Sequence, residues 1–109
     1  MKIYKQKLPL NSGVVYIELP YDTAEEARQA VRHVGLQFEE PCVWYEHQDN
    51  KDMKKFVLIT VGTGHEMGDL VRREEHIGTV LVADDFYVWH YFLVDEDELH
   101  ARYEKMAEK

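Results

Sequence analysis

The chain has 109 residues, of which 45% are hydrophobic and 31% are charged, and 13 lysine and arginine residues face 21 aspartate and glutamate residues. This profile is typical of a globular domain and excludes a disordered chain. The formal net charge of −8 disfavours nonspecific binding to nucleic acid or to an anionic membrane, because both partners attract basic surfaces. We expect a single domain over residues 1–109, with no direct nucleic-acid partner and no membrane partner.

The sequence indicates a reducing compartment. Cys42 is the single cysteine, so no disulfide can form within the chain. No apolar stretch approaches the roughly 20 residues that span a bilayer. Residues 1–7 lack the apolar block of a signal peptide. We therefore expect a cytoplasmic protein.

A polarity pattern of period two predicts the first strand. Residues 14–19 alternate and end at Pro20, which is typical of a strand bounded by a turn. Residues 11–13, Asn-Ser-Gly, form a turn signal, so residues 2–9 are expected to be the hairpin partner of this strand. The three lysines of that partner favour a position at the edge of a sheet, because charge discourages unwanted pairing.

Residues 22–30 predict a short helix. Asp22 or Thr23 can cap its start, two glutamates follow in the first turn, and three alanines keep the helix propensity high. The helix is expected to end near Ala30. After the helix, apolar residues occupy every second position at Val34, Leu36 and Phe38, and this pattern predicts a strand.

The middle of the chain predicts further strands. They cover residues 42–47, 55–61, 76–82 and 86–94. Residues 39–41 are expected to form a turn before the first of these, and residues 83–85 a hairpin turn before the last. Because residues 55–61 are apolar at both odd and even positions, both faces of the strand are apolar, and we expect a central strand covered on both faces. Residues 62–75 are predicted to form a loop.

A C-terminal helix is predicted over residues 95–108. Asp95 as N-cap and Glu98 three residues later approximate a capping box. Glu98 and Arg102 form a favourable i,i+4 pair. Apolar residues recur on one stripe, which packs on the sheet or faces a partner: Leu99, Tyr103 and Met106.

These elements together predict an α+β fold. We expect a mostly antiparallel sheet of six to seven strands, a short helix near residues 22–30 and a C-terminal helix near residues 95–108. An amphipathic terminal helix and strands that are apolar on both faces also make a homodimer a reasonable expectation.

The glycine-rich segment 61–66 (VGTGHE) is the first local feature that could carry function. Glycines allow close backbone approach, so such a loop can cradle an anion. The spacing differs from that of a phosphate-binding loop, and a tight turn at the end of a central strand is the alternative interpretation.

Catalytic chemistry has weak support in the sequence. His65 and His76 with nearby carboxylates could serve a metal-dependent hydrolase, although neither zinc-finger spacing nor a His-Glu-x-x-His motif occurs. His90 shares its parity with apolar residues, which predicts a hydrogen-bonded core histidine. Cys42 is expected to be a small buried hydrophobe. We therefore lean towards a protein that is not an enzyme, with no cofactor and no bound metal.

Aromatic and acidic residues leave two further possibilities open. A face of the aromatic strands could stack a nucleotide, although most of these rings are expected in the core. The acidic surplus could imitate the phosphates of DNA, but the acids are scattered among basic residues, which favours a solvated surface.

Several segments resemble a family of small phage- and prophage-encoded proteins of unknown function. The resemblance rests on residues 56–66 (FVLITVGTGHE), 76–80 (HIGTV) and 88–90 (VWH), and it extends over residues 1–92. It implies a small antiparallel β domain of phage origin and supplies no activity. Residues 66–68 replace the proline-rich turn of the family, and the C-terminal helix 95–108 and the acidic segment 22–30 look like additions.

The function we expect is non-enzymatic binding of a host protein inside the infected host or bacterium, with blunting of host defence as one such role. The alternatives are a sponge or sensor for a nucleotide-like ligand and, third, a metal-dependent hydrolase. The residues expected at the contact surface lie in the glycine-rich turn, in the last strand and on the C-terminal helix: Gly62, Thr63, Gly64, His65, Trp89, Arg102 and Tyr103.

Overall fold

The structure, a computed structural model, describes residues 1–64, 66, 70–82 and 87–108. It confirms the α+β class. In chain order the elements are β1 (Lys2–Lys7), β2 (Gly13–Leu19), α1 (Ala24–Ala30), β3 (Val31–Gln37), β4 (Glu40–His47), β5 (Lys54–Gly62), a short 3-10 helix (Arg73–Glu75), β6 (His76–Val82), β7 (Tyr87–Val94) and α2 (Glu96–Ala107).

The seven strands in the described part of the chain divide between two antiparallel sheets. Sheet A has the order β1-β4-β3, and sheet B has the order β2-β5-β7-β6. The expected antiparallel pairing is confirmed, and the expected number of strands is spread over two layers. β5 lies inside sheet B between β2 and β7, as its apolar residues at both parities predicted.

The predicted hairpin between residues 2–9 and β2 is wrong. β1 instead pairs with β4, with Lys2 opposite His47 and Lys7 opposite Cys42. The backbone N–H of Leu8 donates to the Pro41 carbonyl at 2.9 Å, which carries the chain one residue further along β4. Pro9 has no N–H to continue the ladder, so the chain leaves sheet A there and turns towards sheet B. The lysine-rich strand does lie at a sheet edge, as predicted.

The core has two parts because β5 is buried on both sides. Its inner face, which includes Phe56 and Leu58, packs with Tyr91, Leu93 and α1. Its outer face packs under α2 in a smaller cluster with these buried members: Val57, Ile59, Val61, Val94 and Leu99. The outer face of sheet B is therefore covered by α2 along part of its surface.

Both helices begin as the sequence predicts, with one change in the caps. Thr23 Oγ1 accepts a hydrogen bond from Glu26 N at 3.2 Å, and α1 ends at Ala30. The predicted capping box of α2 is not formed: Asp95 is its N-cap but makes no side-chain cap bond. Asp95 Oδ1 accepts instead from Ala24 N at 2.9 Å, so a residue 71 positions away satisfies a free donor at the start of α1.

The turn between β3 and β4 lies earlier than expected. Phe38 and Glu39 form it with φ values of 52° and 66°, and Glu40 already belongs to β4. A two-residue hairpin turn with both residues in the left-handed region matches the twist of the flanking strands, so the hairpin imposes this conformation on residues other than glycine. The predicted turn at residues 83–85, and residue 86, lie outside the described residues.

A glycine allows a close approach between the two sheets. A Cβ placed on Gly78 of β6 would lie 2.3 Å from Cβ of Val34 on β3. No methyl group fits at that distance, so any side chain at position 78 would push β6 away from β3.

We predict that Gly78→Ala lowers the free energy of unfolding by about 2 kcal/mol because of this overlap. Val34→Gly removes the Cβ and both methyl groups that collide, so the double variant Val34→Gly/Gly78→Ala should lose less than the sum of the two single losses. Urea denaturation of the four proteins measures this coupling. Additive losses would contradict the contact.

Candidate functional site

A cleft opens on the outer face of sheet B, where β5 ends. Its volume is about 310 Å³. One end of β5 and its turn form one wall, β7 forms the floor, and the segment before β6 adds an apolar residue. The lining residues are Val61, Gly62, Thr63, Gly64, Val71, His90 and Phe92.

Two threonine hydroxyls hold the His90 ring in this cleft. Thr63 Oγ1 lies 2.7 Å from His90 Nε2, and Thr79 Oγ1 lies 2.9 Å from His90 Nδ1. Thr79 and His90 are opposite each other in the β6–β7 ladder, so the sheet register fixes the second contact. Both ring nitrogens are bonded, and the orientation of the imidazole is therefore set by the fold.

The hydrogen bonds continue from the cleft to a second histidine. His76 Nε2 lies 2.9 Å from Thr79 Oγ1, and the His76 ring packs against Phe92 with 5.3 Å between ring centroids. Burial lowers the pKa of His76, and the neighbouring His90 lowers it further. Four polar side chains thus form one connected row from the cleft across β7 to β6.

The backbone conformation at the end of β5 explains why the turn is rich in glycine. Gly62 is the last residue of β5, and Thr63 N still donates to the Val88 carbonyl at 3.2 Å. Gly64 then adopts a φ of 87°, a conformation that glycine reaches without the steric cost of a Cβ. The turn away from β7 thereby leaves the Thr63 side chain beside His90.

The structure brings together three of the predicted contact residues, namely Gly62, Thr63 and Gly64. His65 lies outside the described residues. Trp89 is opposite Gly62 in the ladder, but its side chain packs with the inner cluster and stacks on Tyr87. Adjacent strand residues point to opposite faces, so Trp89 faces away from the cleft that His90 lines.

Arg102 is not on the exposed side of α2. Only 6% of its side chain is accessible, and it forms a two-pronged ion pair with Glu75, with Nη1–Oε1 2.7 Å and Nη2–Oε2 2.5 Å. Its guanidinium also donates to the Leu70 carbonyl at 2.9 Å and to Glu98 at 3.2 Å. Arg102 therefore ties α2 to the segment that supplies Val71 to the cleft.

The rest of the helix stripe divides between core and solvent. Leu99 is buried, whereas Tyr103 and Met106 are 45% and 40% exposed. The i,i+4 pair of Glu98 and Arg102 is formed as predicted. Tyr103 thus remains available to a partner.

Sequence reasoning left His90, its partner Thr79 and the apolar lining residues out of the site; the latter are Val61, Val71 and Phe92. His90 was expected in the core because it alternates in step with apolar residues of the same strand. In the structure it is half-buried, and both of its ring nitrogens are bonded to threonine hydroxyls. The signal was present in the alternation of β7, where His90 shares a face with Phe92. Its position opposite Thr79 depends on a bulge between His76 and Gly78, which the alternation does not show.

Among residues 1–64, 66, 70–82 and 87–108, no group of three or more histidine, cysteine, aspartate or glutamate side chains is placed to hold a metal ion. In the same residues no helix has the length and apolar character needed to cross a membrane.

Comparison with known proteins shows the family of this chain. Residues 1–102 match the family described as Domain of unknown function (DUF7352), and the chain belongs to that family. The match includes β1 to β7 and most of α2. No curated protein and no solved structure matches the chain.

The ion pair predicts how stability depends on pH. Burial by itself raises the pKa of the Glu75 carboxyl, but hydrogen bonds from Arg102 and from the Arg72 backbone outweigh it and hold this pKa below its ordinary value. The pair therefore stabilises the fold above the unfolded-state pKa of about 4.3. Its contribution is lost as the pH falls through the lower folded-state pKa.

We predict that Glu75→Gln costs about 3 kcal/mol of unfolding free energy at pH 7 because it leaves the Arg102 charge buried without its partner. This difference from the wild type should narrow as the pH falls below the unfolded-state pKa of about 4.3 and through the lower folded-state pKa. Glu98→Gln is the matched control on the solvent side and should cost less than about 1 kcal/mol. Urea denaturation across this pH range measures both, and equal costs for the two variants would refute the assignment.

Proposed function

We propose that this is a small accessory protein of phage or prophage origin that acts inside its host by binding a host protein and catalyses no reaction itself. The observation that carries the proposal is the cleft at the end of β5. It presents the Thr63 hydroxyl and the His90 ring in a wall whose other side chains are apolar, namely Val61, Val71 and Phe92.

This composition supports recognition. Binding pockets are mostly apolar and contain a few polar groups that fix the orientation of the bound group. Here His90 lies on β7 and Thr63 lies in the turn that follows β5, and hydrogen bonds with Thr63 and Thr79 hold the His90 ring. A site held in this way loses little side-chain entropy when it is occupied.

The size of the cleft, and an exposed tyrosine outside its lining, favour a protein partner. A volume of about 310 Å³ lies at the low end of the range for small-molecule pockets, about 300–1,000 Å³, and it is sufficient for one anchoring side chain of a partner. Tyr103 on α2 remains half exposed, and tyrosine is enriched at the centres of protein interfaces.

The phage origin and a role against host defence rest on other support. The segments FVLITVGTGHE, HIGTV and VWH resemble small phage and prophage proteins, and membership of a family of unknown function assigns no activity. A small binding domain without its own chemistry is suited to occupying a host protein.

Affinity capture from bacterial lysate tests the proposal with three baits. The cleft variant Thr63→Val/His90→Phe removes both members of the hydrogen bond, so neither polar group remains unpaired with the other. Leu36→Ser, on the exposed part of β3 in sheet A, is the matched control. Thermal melting of each bait establishes that it is folded.

We predict that the wild type and Leu36→Ser retain the same host protein, and that the cleft variant retains at least about tenfold less of it, a loss of about 1.4 kcal/mol or more. Quantitative mass spectrometry of the eluates measures the ratio. Equal retention by the folded cleft variant would overturn the cleft as the recognition site.

A nucleotide-like ligand is the second candidate. The observation that favours it is that His90 and Phe92 line the same cleft, because imidazole and phenyl rings can stack on a base. Native mass spectrometry of the same gently purified baits distinguishes the two functions. A ligand adds a few hundred daltons to the wild type and to Leu36→Ser but not to the cleft variant, whereas a protein partner leaves the captured chain without such an addition.

A further inference from the structure

We infer that β2 pairs with β2 of a second copy of this chain, so that two four-stranded sheets join into one eight-stranded sheet. β2 lies at the edge of sheet B and pairs with β5 on one side. The inference concerns a surface separate from the cleft, and it rests on the backbone groups and side chains that β2 leaves free.

The direction of the free backbone groups follows from Gln6. Its amide nitrogen donates to the Glu18 carbonyl at 2.7 Å. The β5 side of β2 is occupied by the strand ladder, so this carbonyl points away from β5. Backbone groups alternate in direction along an antiparallel strand, and the N–H and C=O groups of Val14 and Tyr16 therefore also point away from β5.

In one register of two antiparallel β2 strands, the backbone N–H and C=O groups of Val14 and Tyr16 all form hydrogen bonds. If a two-fold axis passes beside Val15, Val14 of each copy lies opposite Tyr16 of the other. Each such pair exchanges two backbone hydrogen bonds, giving four in total. Glu18 stays outside the pairing and keeps its bond to Gln6.

The side chains of this segment favour the same register. Val14, Val15 and Tyr16 are 43%, 41% and 58% exposed, and residues 13–17 carry no charge. Opposite residues in a sheet share a face, so Val14 would contact the partner's Tyr16, and the two Val15 side chains would meet. An apolar and uncharged edge of this kind is a ready template for strand pairing.

The three other edge strands in the described part of the chain explain why β2 is singled out. β3, the second edge of sheet A, is packed against β6 through Val34 and Gly78. β1 is the first edge of sheet A, and it carries Lys2, Lys5 and Lys7, which oppose pairing. β6 is the opposite edge of sheet B, and it is packed against β3 through Gly78 and Val34. Residues 13–17 of β2 have neither the charged side chains of β1 nor the packing contact that covers β6.

A second copy is favoured over a foreign peptide because the edge is complementary to itself. The same two residues donate and accept on both sides of the axis, as a two-fold interface requires. The area of one strand pair lies at the low end for stable complexes, so we expect a dissociation constant in the micromolar range, on the order of 10 μM. The net charge of −8 repels the copies, and added salt should therefore strengthen the dimer.

Sedimentation equilibrium over a range of protein concentrations tests the inference. We expect a monomer–dimer equilibrium for the wild type and an increase of more than about tenfold in the dissociation constant for Val15→Lys, which places two like charges opposite each other. Leu36→Lys on the exposed part of β3 is the matched control and should leave the constant unchanged. A monomeric wild type at all concentrations up to about 100 times the expected constant would overturn the inference.

Cysteine cross-linking tests the register independently of stability. Val15 residues across the axis form a non-hydrogen-bonded pair, in which Cα atoms lie about 4.5 Å apart, within the range that a disulfide bridges. Val15→Cys should therefore cross-link to dimers under mild oxidation, and the native Cys42 is buried. Leu36→Cys should not cross-link. Equal cross-linking of the two variants would contradict the β2 pairing.

Discussion

The buried ion pair between Arg102 and Glu75 is the interaction on which the cleft depends. A charged pair with only 6% of each side chain accessible is stable only when its hydrogen bonds are nearly complete. Arg102 meets this condition by bonding Glu75 twice, the Leu70 carbonyl and Glu98. One side chain thus joins α2, the segment that contains Val71, and the short 3-10 helix that precedes β6.

The same arrangement connects the core to the proposed recognition site. β5 is buried on both faces and provides a rigid support for the turn that begins at Gly62. Register in the β6–β7 ladder places Thr79 against His90, and the turn places Thr63 against the other ring nitrogen. The site is therefore built by sheet geometry, and Val71, from the segment that Arg102 ties to α2, adds an apolar lining residue.

The local elements were predictable because each depends on neighbouring residues. The boundary of α1 at Ala30 and the two-sided burial of β5 follow from propensity and alternation. Pairings between distant segments were not predictable in this way. β1 pairs with β4, which is distant in sequence, and not with the adjacent β2. The role of Asp95 as a cap for α1 and the burial of Arg102 likewise arise from tertiary contacts, for which a single sequence has no local signal.

A proton–nitrogen correlation spectrum of the histidine rings at pH 8 tests the pre-organised cleft most directly. Bonding at both ring nitrogens predicts a visible His90 ring N–H that is protected from exchange with water. Thr63→Val should then shift mainly the Nε2 resonance and Thr79→Val mainly the Nδ1 resonance, since each hydroxyl contacts a different nitrogen. A His90 ring whose N–H exchanges freely, and whose resonances neither substitution moves, would contradict the site described here.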